Sequence, residues 1–207
     1  MNPFVSARVQ ERLLLASASP RRREILENLG FEFEILPADV DESEVPWNDP
    51  VASAKLLAEI KGVEVQVKRP RKTVIAADTI VLCEGEVMGK PAENEEAAEM
   101  LGKLSGRMHE VVTGLALLAP PNIRMIEAES TKVFFRGLTP SEITRYINTR
   151  EPFDKAGAYA IQGFASAFID RIEGDYFNVV GLPVARLFNM FHMLESELEA
   201  RERSRNA

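Results

Sequence analysis

Residues 73–85 read TVIAADTIVLCEG. The run is apolar on both faces, the pattern of a central strand covered on each side. Asp78 interrupts it, on the face shared with Val74, Ala76, Ile80 and Leu82. An unpaired carboxylate buried there costs several kcal/mol, so Asp78 is expected to face a polar cleft, a cation or a metal. Asp78-Thr79, at the end of the strand's apolar half, suits a metal-binding or water-activating carboxylate. A strand end reaching solvent, or a hydrogen bond to a neighbouring turn, is the purely structural alternative.

Toward the N-terminus, the basic turn Lys68–Lys72 precedes this strand, and Asp49-Pro50 starts a helix expected to run to about Lys61. Before it lies an acidic loop, Pro37–Pro50, which carries Asp39, Asp41, Glu42, Glu44 and Asp49 with no base and contributes −5. Glu32–Leu36 alternates as a short strand. Leu13–Ala16 is a further strand that ends in Ser17-Ala18-Ser19-Pro20 and passes into the helix RRREILENLG, with Ser19 as N-cap, Pro20 in the first helical position and Gly30 as the stop.

Toward the C-terminus, Glu84-Gly85-Glu86 reads as a hairpin turn leading to Val87–Pro91, after which Asn94 caps a helix to about Leu104. Glu110–Ala119 and Ile123–Phe135, joined by Pro120-Pro121-Asn122, are expected to pair as a hairpin. Pro140–Asn148 is a short helix, Glu151–Gly163 a glycine-containing loop or strand, and Ala165–Ile172 an ambiguous apolar segment. Gly174-Asp175-Tyr176 and Val180–Pro183 lead into a last helix, Leu182–Leu198, that fades into a charged tail. Helices and strands intermix with both hairpins and crossovers, which predicts an α/β fold with a mixed sheet.

The 207 residues are 45% hydrophobic and 28% charged, which excludes disordered and collagen-like classes and fits one large domain, or one domain with two lobes around a cleft. With 32 acids against 25 bases the formal charge is −7, which disfavours a nucleic-acid backbone or an anionic membrane as partner. Any polyanionic ligand then needs a local basic site. Cys83 is the single cysteine, and His109 and His192 are the only histidines, so neither a disulfide nor a cysteine- or histidine-rich zinc site is expected. No segment has the length of a membrane span or of a signal-peptide core, and a cytoplasmic setting is the expectation.

Arg21-Arg22-Arg23 fall in the first turn of a helix, whose free N–H groups already act as about half a positive charge. An anion reverses that repulsion: N–H groups, the Ser17 and Ser19 hydroxyls and guanidinium forks can converge on a phosphate. A solvated basic turn paired with Glu24 and Glu27 explains the same residues without a ligand. Lys90, in Gly89-Lys90-Pro91, is carried back toward Asp78 by the hairpin, whereas Lys61, late in its helix, reads by itself as a solvent-facing charge. In Glu151–Gly163, Gly157 and Gly163 permit close backbone approach, and Gln162 offers the donor and acceptor needed to read the edge of a base; a tight structural turn is the alternative.

Taken together, Leu15-Ala-Ser-Ala-Ser-Pro-Arg-Arg22, Ala77-Asp78-Thr79, Gly89-Lys90-Pro91, Leu104-Ser-Gly106, Thr113-Gly114, Asp154-Lys-Ala-Gly-Ala-Tyr-Ala-Ile-Gln-Gly163 and Val180-Gly-Leu-Pro183 resemble the Maf family of nucleoside triphosphate pyrophosphatases. The match runs from about Leu13 into the last helix. Residues 12–196 are thus expected to form one Maf-like domain, with an extension over 1–11 and a charged tail over 197–207.

The resemblance implies a mixed α/β fold similar to the inosine triphosphate pyrophosphatases, with a deep cleft between two lobes. It also implies hydrolysis of a nucleoside triphosphate to monophosphate and pyrophosphate with a divalent metal, Mg²⁺ or Mn²⁺, and a possible homodimer. The DKAGAY-x-IQG segment looks like the dTTP/UTP branch; the 7-methyl-GTP branch, or a non-catalytic nucleotide-binding regulator of cell division, are the alternatives. Residue by residue, Asp78 matches the family's proton acceptor, and Arg21, Thr79 and Gln162 match its specificity positions. Ser17, Arg22, Glu42, Lys61 and Lys90 match substrate-binding residues, with Asp78 and Glu42 as metal ligands. The family usually has Lys-Ala where this chain has Lys61-Gly62, and Ala18 and Ala160 stand where glycine is frequent.

Overall fold

The computed structural model describes residues 1–42 and 45–206; Glu44 of the acidic loop lies outside the described residues. The strands are β1 (Leu13–Leu15), β2 (Glu34–Ile35), β3 (Thr73–Cys83), β4 (Glu86–Met88), β5 (Met108–Ala119), β6 (Ile123–Phe135) and β7 (Ile169–Glu173). The helices are α1 (Ala7–Gln10), α2 (Pro20–Asn28), α3 (Pro50–Lys68), α4 (Asn94–Leu104), α5 (Pro140–Asn148), α6 (Tyr176–Val180) and α7 (Val184–Asn206). The strands form one seven-stranded mixed sheet in the order β2-β1-β3-β5-β6-β7, with β4 also on β3. The pairs β1–β2 and β1–β3 are parallel and the rest antiparallel.

The apolar run of β3 is central, as its two-sided pattern requires. On one edge β5 pairs with it continuously, from Val74↔Leu118 to Leu82↔Glu110. On the other edge β1 covers Thr73–Ile75 and β4 covers Val81–Cys83. Between Ile75 and Val81 that edge has no strand partner among the described residues. The chain leaving β1, held by Ala16 N–H donating to Ile75 O at 2.8 Å, and the chain leaving β4 after Met88 both run into this gap. Asp78 and Thr79 lie at its centre.

Helix α3 covers one face of the sheet, packing Ala58 and Val65 on Val74, Ala76, Ala116 and Leu118, and Ala54 on Ile80 and Val112. The opposite face carries two separate cores. Ile75, Ala77, Leu115 and Leu117 pack with Leu187, Met190, Phe191 and Leu194 of α7, whereas Val81, Val111 and Val133 pack with Leu101 and Leu104 of α4 and Tyr146 of α5. These two cores are the two lobes, and Thr79 falls between them.

Gly114 sets how close α3 comes. It pairs with Asp78 across the ladder, and a Cβ at this position would stand 1.9 Å from Ala54 O. Gly62, beside Lys61, is a milder case: a Cβ there would meet the movable end of a side chain, Leu118 Cδ1, at 2.9 Å and Ala76 Cβ at 3.4 Å.

Several boundaries differ from the sequence expectations. Helix α3 continues past Lys61 to Lys68 because Val65 extends its buried stripe. The Glu32–Leu36 strand shrinks to two exposed residues of β2, at the end of the sheet path where one side has no ladder among the described residues. Asn94 is the first helical residue, with Glu93 at the cap, and the Ser19 hydroxyl makes no capping bond. The segment at Asp175 forms the separate helix α6, where Asp175 Oδ1 accepts from Phe177 N–H at 2.7 Å and Gly181, with φ +117°, ends the helix. Helix α7 continues to Asn206 instead of fading at Leu198, with Glu197–Arg201 and Glu199–Arg203 pairs along its last turns. Val5 and Val9, in and beside α1, pack into the core that α7 covers.

Replacing Gly114 with alanine forces α3 away from the sheet. We expect Gly114→Ala to lower the unfolding free energy by about 3 kcal/mol or more in urea titration, and a variant as stable as the parent contradicts the packing described.

Candidate active site

A cleft of about 430 Å³ opens at the uncovered stretch of β3, and its walls include Ser17, Arg21, Arg22, Glu42, Lys61, Asp78, Thr79, Lys90 and Gln162. Every site residue named from the sequence therefore lines one cavity. Its size is that of a small-molecule pocket.

Asp78 is not buried alone. Lys61 Nζ lies 2.5 Å from Asp78 Oδ1 and 2.7 Å from Glu42 Oε1, with Asp78 and Lys61 side chains only 14% and 17% exposed. The solvent-facing reading of Lys61 is thus wrong: the close seat of α3 on Gly114 and Gly62 brings its ammonium onto the sheet. Glu42 reaches the same ammonium from the acidic loop. Two carboxylates from distant segments thereby converge on one cation position. No group of three or more His, Cys, Asp and Glu side chains suited to a metal occurs among the described residues. A pair of carboxylates leaves room for ligand oxygens, which is the donor set Mg²⁺ accepts when it also binds phosphates.

Arg22 organises the other wall. Its Nε donates to Gly181 O at 2.7 Å, Nη1 to Ser17 Oγ at 3.0 Å and Nη2 to Thr79 Oγ1 at 2.9 Å, so one guanidinium ties α2, the α6 terminus, the β1 turn and β3 together. Burial lowers its pKa, Asp78 opposes that shift, and the charge of Arg21 adds to it. Ser17 Oγ accepts from Ser19 N–H at 3.2 Å as well as from Arg22. With both lone pairs engaged, its hydroxyl proton is the group left to give to a ligand.

The segment carrying Gln162 is a loop with two short 3₁₀ turns, Ala156–Ala158 and Phe164–Phe168. It is fastened at three points. Gly157 N–H donates to Gly89 O at 3.0 Å, which ties it to the Lys90 turn. The Tyr159 hydroxyl and His109 Nε2 share a hydrogen bond of 2.8 Å in the core. Glu151 accepts from Tyr146 OH at 2.9 Å and Phe164 N–H at 3.0 Å, and Gly163 has no room for a side chain, since its Cβ would fall 2.2 Å from Glu151 Oε1. Gln162 is left exposed at the cleft.

The cleft lining also includes residues not named as site residues from the sequence, among them Lys155 and Tyr159. Lys155, paired with Asp154 at 2.7 Å and 14% exposed at its side chain, adds a cation, and the Tyr159 ring forms part of the wall. The sequence signal for Lys155 is its place between Asp154 and Ala156, within the Glu151–Gly163 segment that carries Gln162.

Burial pushes the His109 imidazole down to about 4. An unfolded histidine titrates near ~6.5, so as the pH falls the unfolded chain takes up the proton first, and stability is lost between about pH 6.5 and 4. Over that interval the protein should lose up to ~3 kcal/mol more than a His109→Gln variant in urea titrations, and equal losses contradict the buried neutral ring.

Residues 12–194 match the family described as Maf-like protein. A dTTP/UTP pyrophosphatase of Desulforamulus reducens is 47% identical over 190 residues, covering 90% of this chain and 98% of that one. Its counterpart in Carboxydothermus hydrogenoformans is 52% identical over 178 residues, covering 86% and 95%. The solved Ham1 protein of Staphylococcus aureus is 16% identical with a TM-score of 0.38 over 59% of this chain and 71% of that one, a likeness too slight to add to the fold. With the family's span covering nearly the whole cleft-bearing chain, this protein belongs to the Maf-like protein family.

Proposed function

We propose that the protein hydrolyses dTTP and UTP to the monophosphate and pyrophosphate by water attack on the α-phosphorus. The observation that carries this reading is the seat of Asp78: a carboxylate held 2.5 Å from Lys61 Nζ, on the open edge of a central strand, in a cleft that also holds Arg21, Arg22 and Lys90. The names of the similar proteins support the substrate.

In this reading Arg21, Lys90 and Lys155 draw in the triphosphate, and the Ser17 hydroxyl donates to a phosphate oxygen. Asp78 orients the water and takes its proton as the new oxygen–phosphorus bond forms. The bond between the α-phosphorus and its bridging oxygen breaks, and pyrophosphate leaves against the basic wall of the cleft. Asp78 and Glu42 would hold a divalent cation, Mg²⁺ or Mn²⁺; when bound, it neutralises phosphate charge and polarises the scissile bond. Lys61 keeps the two carboxylates together and supplies positive charge to the same spot. Gln162, on its fastened loop, bonds the base edge. We place this activity in the cytoplasm, in keeping with the lone, unpaired and buried Cys83; no described helix is long and apolar enough to cross a membrane.

The test is pyrophosphate release from dTTP, UTP, CTP and 7-methyl-GTP by the parent and by Asp78→Asn and Gln162→Ala. We expect dTTP and UTP to be preferred, Asp78→Asn to lose at least ~100-fold in kcat, and Gln162→Ala to lose selectivity chiefly through KM. Full turnover by Asp78→Asn contradicts the proposed role. A preference for 7-methyl-GTP overturns the substrate, and binding without any pyrophosphate release points to a regulator.

A further inference from the structure

Behind the cleft wall, hydrogen bonds run from Arg22 into the core. Arg22 Nη2 donates to Thr79 Oγ1 at 2.9 Å; Thr79 Oγ1 lies 2.9 Å from Thr113 Oγ1; Thr113 Oγ1 donates to the Asn178 carbonyl at 3.1 Å. Thr79 and Thr113 are directly opposed on β3 and β5, and Thr113 has no exposure to solvent. The acceptor at the far end is fixed. Asn178 is fully buried, its Nδ2 donates to Val111 O at 2.8 Å and to Thr131 Oγ1 at 3.0 Å, and its carbonyl also accepts from Gly181 N–H at 3.0 Å.

The direction of each bond follows from the two ends. A guanidinium only donates, a carbonyl only accepts, and each hydroxyl has one proton and two lone pairs. The Thr113 proton goes to the Asn178 carbonyl, so between the two threonines it is Thr79 that donates. The Thr79 proton therefore points inward, and one of its lone pairs already holds Arg22. What it can offer the cleft is the remaining lone pair. Reversing the chain would set the Thr113 lone pairs against a carbonyl oxygen at 3.1 Å inside the core, an arrangement that buried polar groups avoid.

We propose that Thr113 is a positioning residue that makes Thr79 an acceptor-only group, and that this polarity selects pyrimidine triphosphates carrying an N3–H over those carrying an N3 lone pair. Uracil and thymine present that donor; cytosine presents an acceptor in its place. The inference rests on the dTTP/UTP reading and adds to it the residue that sets discrimination at the base edge. Gly114, next in sequence, serves the approach of α3, whereas Thr113 serves this relay.

The experiment compares kcat/KM for UTP and CTP in the parent, Thr113→Val and Thr113→Ser, and measures 3-methyl-UTP, which lacks the N3–H, with the parent. Valine removes the inner acceptor and releases the Thr79 proton. The UTP-to-CTP ratio should fall by about tenfold, mainly through KM, while serine retains the parent ratio. The parent should use 3-methyl-UTP about tenfold or more less well than UTP. An unchanged ratio in a folded Thr113→Val overturns the proposal; should that variant not fold, equal use of UTP and 3-methyl-UTP by the parent overturns it. A parent that cleaves neither UTP nor dTTP refutes the substrate reading itself, a result distinct from cleavage with selectivity indifferent to Thr113.

Discussion

A carboxylate in the middle of a central strand needs a counter-charge, and most of this structure can be understood as the way it is provided. Asp78 sits opposite Gly114, the residue whose missing side chain lets α3 lie on the sheet. About two turns further along α3, Lys61 meets Asp78 at 2.5 Å and Glu42 at 2.7 Å. The same carboxylate is accessible to a ligand because β1 and β4 cover only the two ends of that edge of β3. Pairing and access thus come from different sides of one residue. A continuous partner strand would close the site, and a more distant α3 would leave the charge uncompensated, a condition that buried ions tolerate poorly.

Arg22 has a second organising role. Its three bonds to Gly181, Ser17 and Thr79 hold four segments in register, and they also decide what the wall can offer. Ser17 is left with a proton and Thr79 with a lone pair, so two hydroxyls of similar chemistry acquire opposite character. Preorganisation of this kind matters because a group that must reorient as the ligand binds loses part of what its hydrogen bond contributes. The loop that carries Gln162 is fixed in the same spirit, by Glu151, by the Tyr159–His109 pair and by the backbone of Gly89.

Much of the architecture was legible in the residues themselves. The two-sided apolar run placed β3 at the centre, the Pro120-Pro121-Asn122 turn marked the β5–β6 hairpin, and the motif order led to the nine cleft residues. What periodicity did not reveal depended on contacts remote in sequence. Lys61 reads as a surface charge until Gly114 shows how near α3 lies. The end of α3 is not legible in the sequence, because Val65 is buried by the sheet beneath it. The role of Thr113 depends on its direct opposition to Thr79 and on a carbonyl of α6, neither of which a motif can convey. Lys155 carries no distinguishing signal of its own in the sequence, because beside Asp154 it reads as one half of an ordinary surface ion pair, and only the fold shows its side chain 14% exposed at the cleft.

The net charge of −7 is also better placed. The cleft lining holds Arg21, Arg22, Lys61, Lys90 and Lys155 against Glu42, Asp78 and Asp154, so the site is locally basic within an acidic protein. That contrast suits a small polyanion and disfavours a long one. The central claim is that water activated at Asp78 attacks the α-phosphorus, and hydrolysis of UTP in ¹⁸O-labelled water tests it most directly. The account predicts label in the uridine monophosphate and none in the pyrophosphate; label in pyrophosphate or in orthophosphate would contradict it.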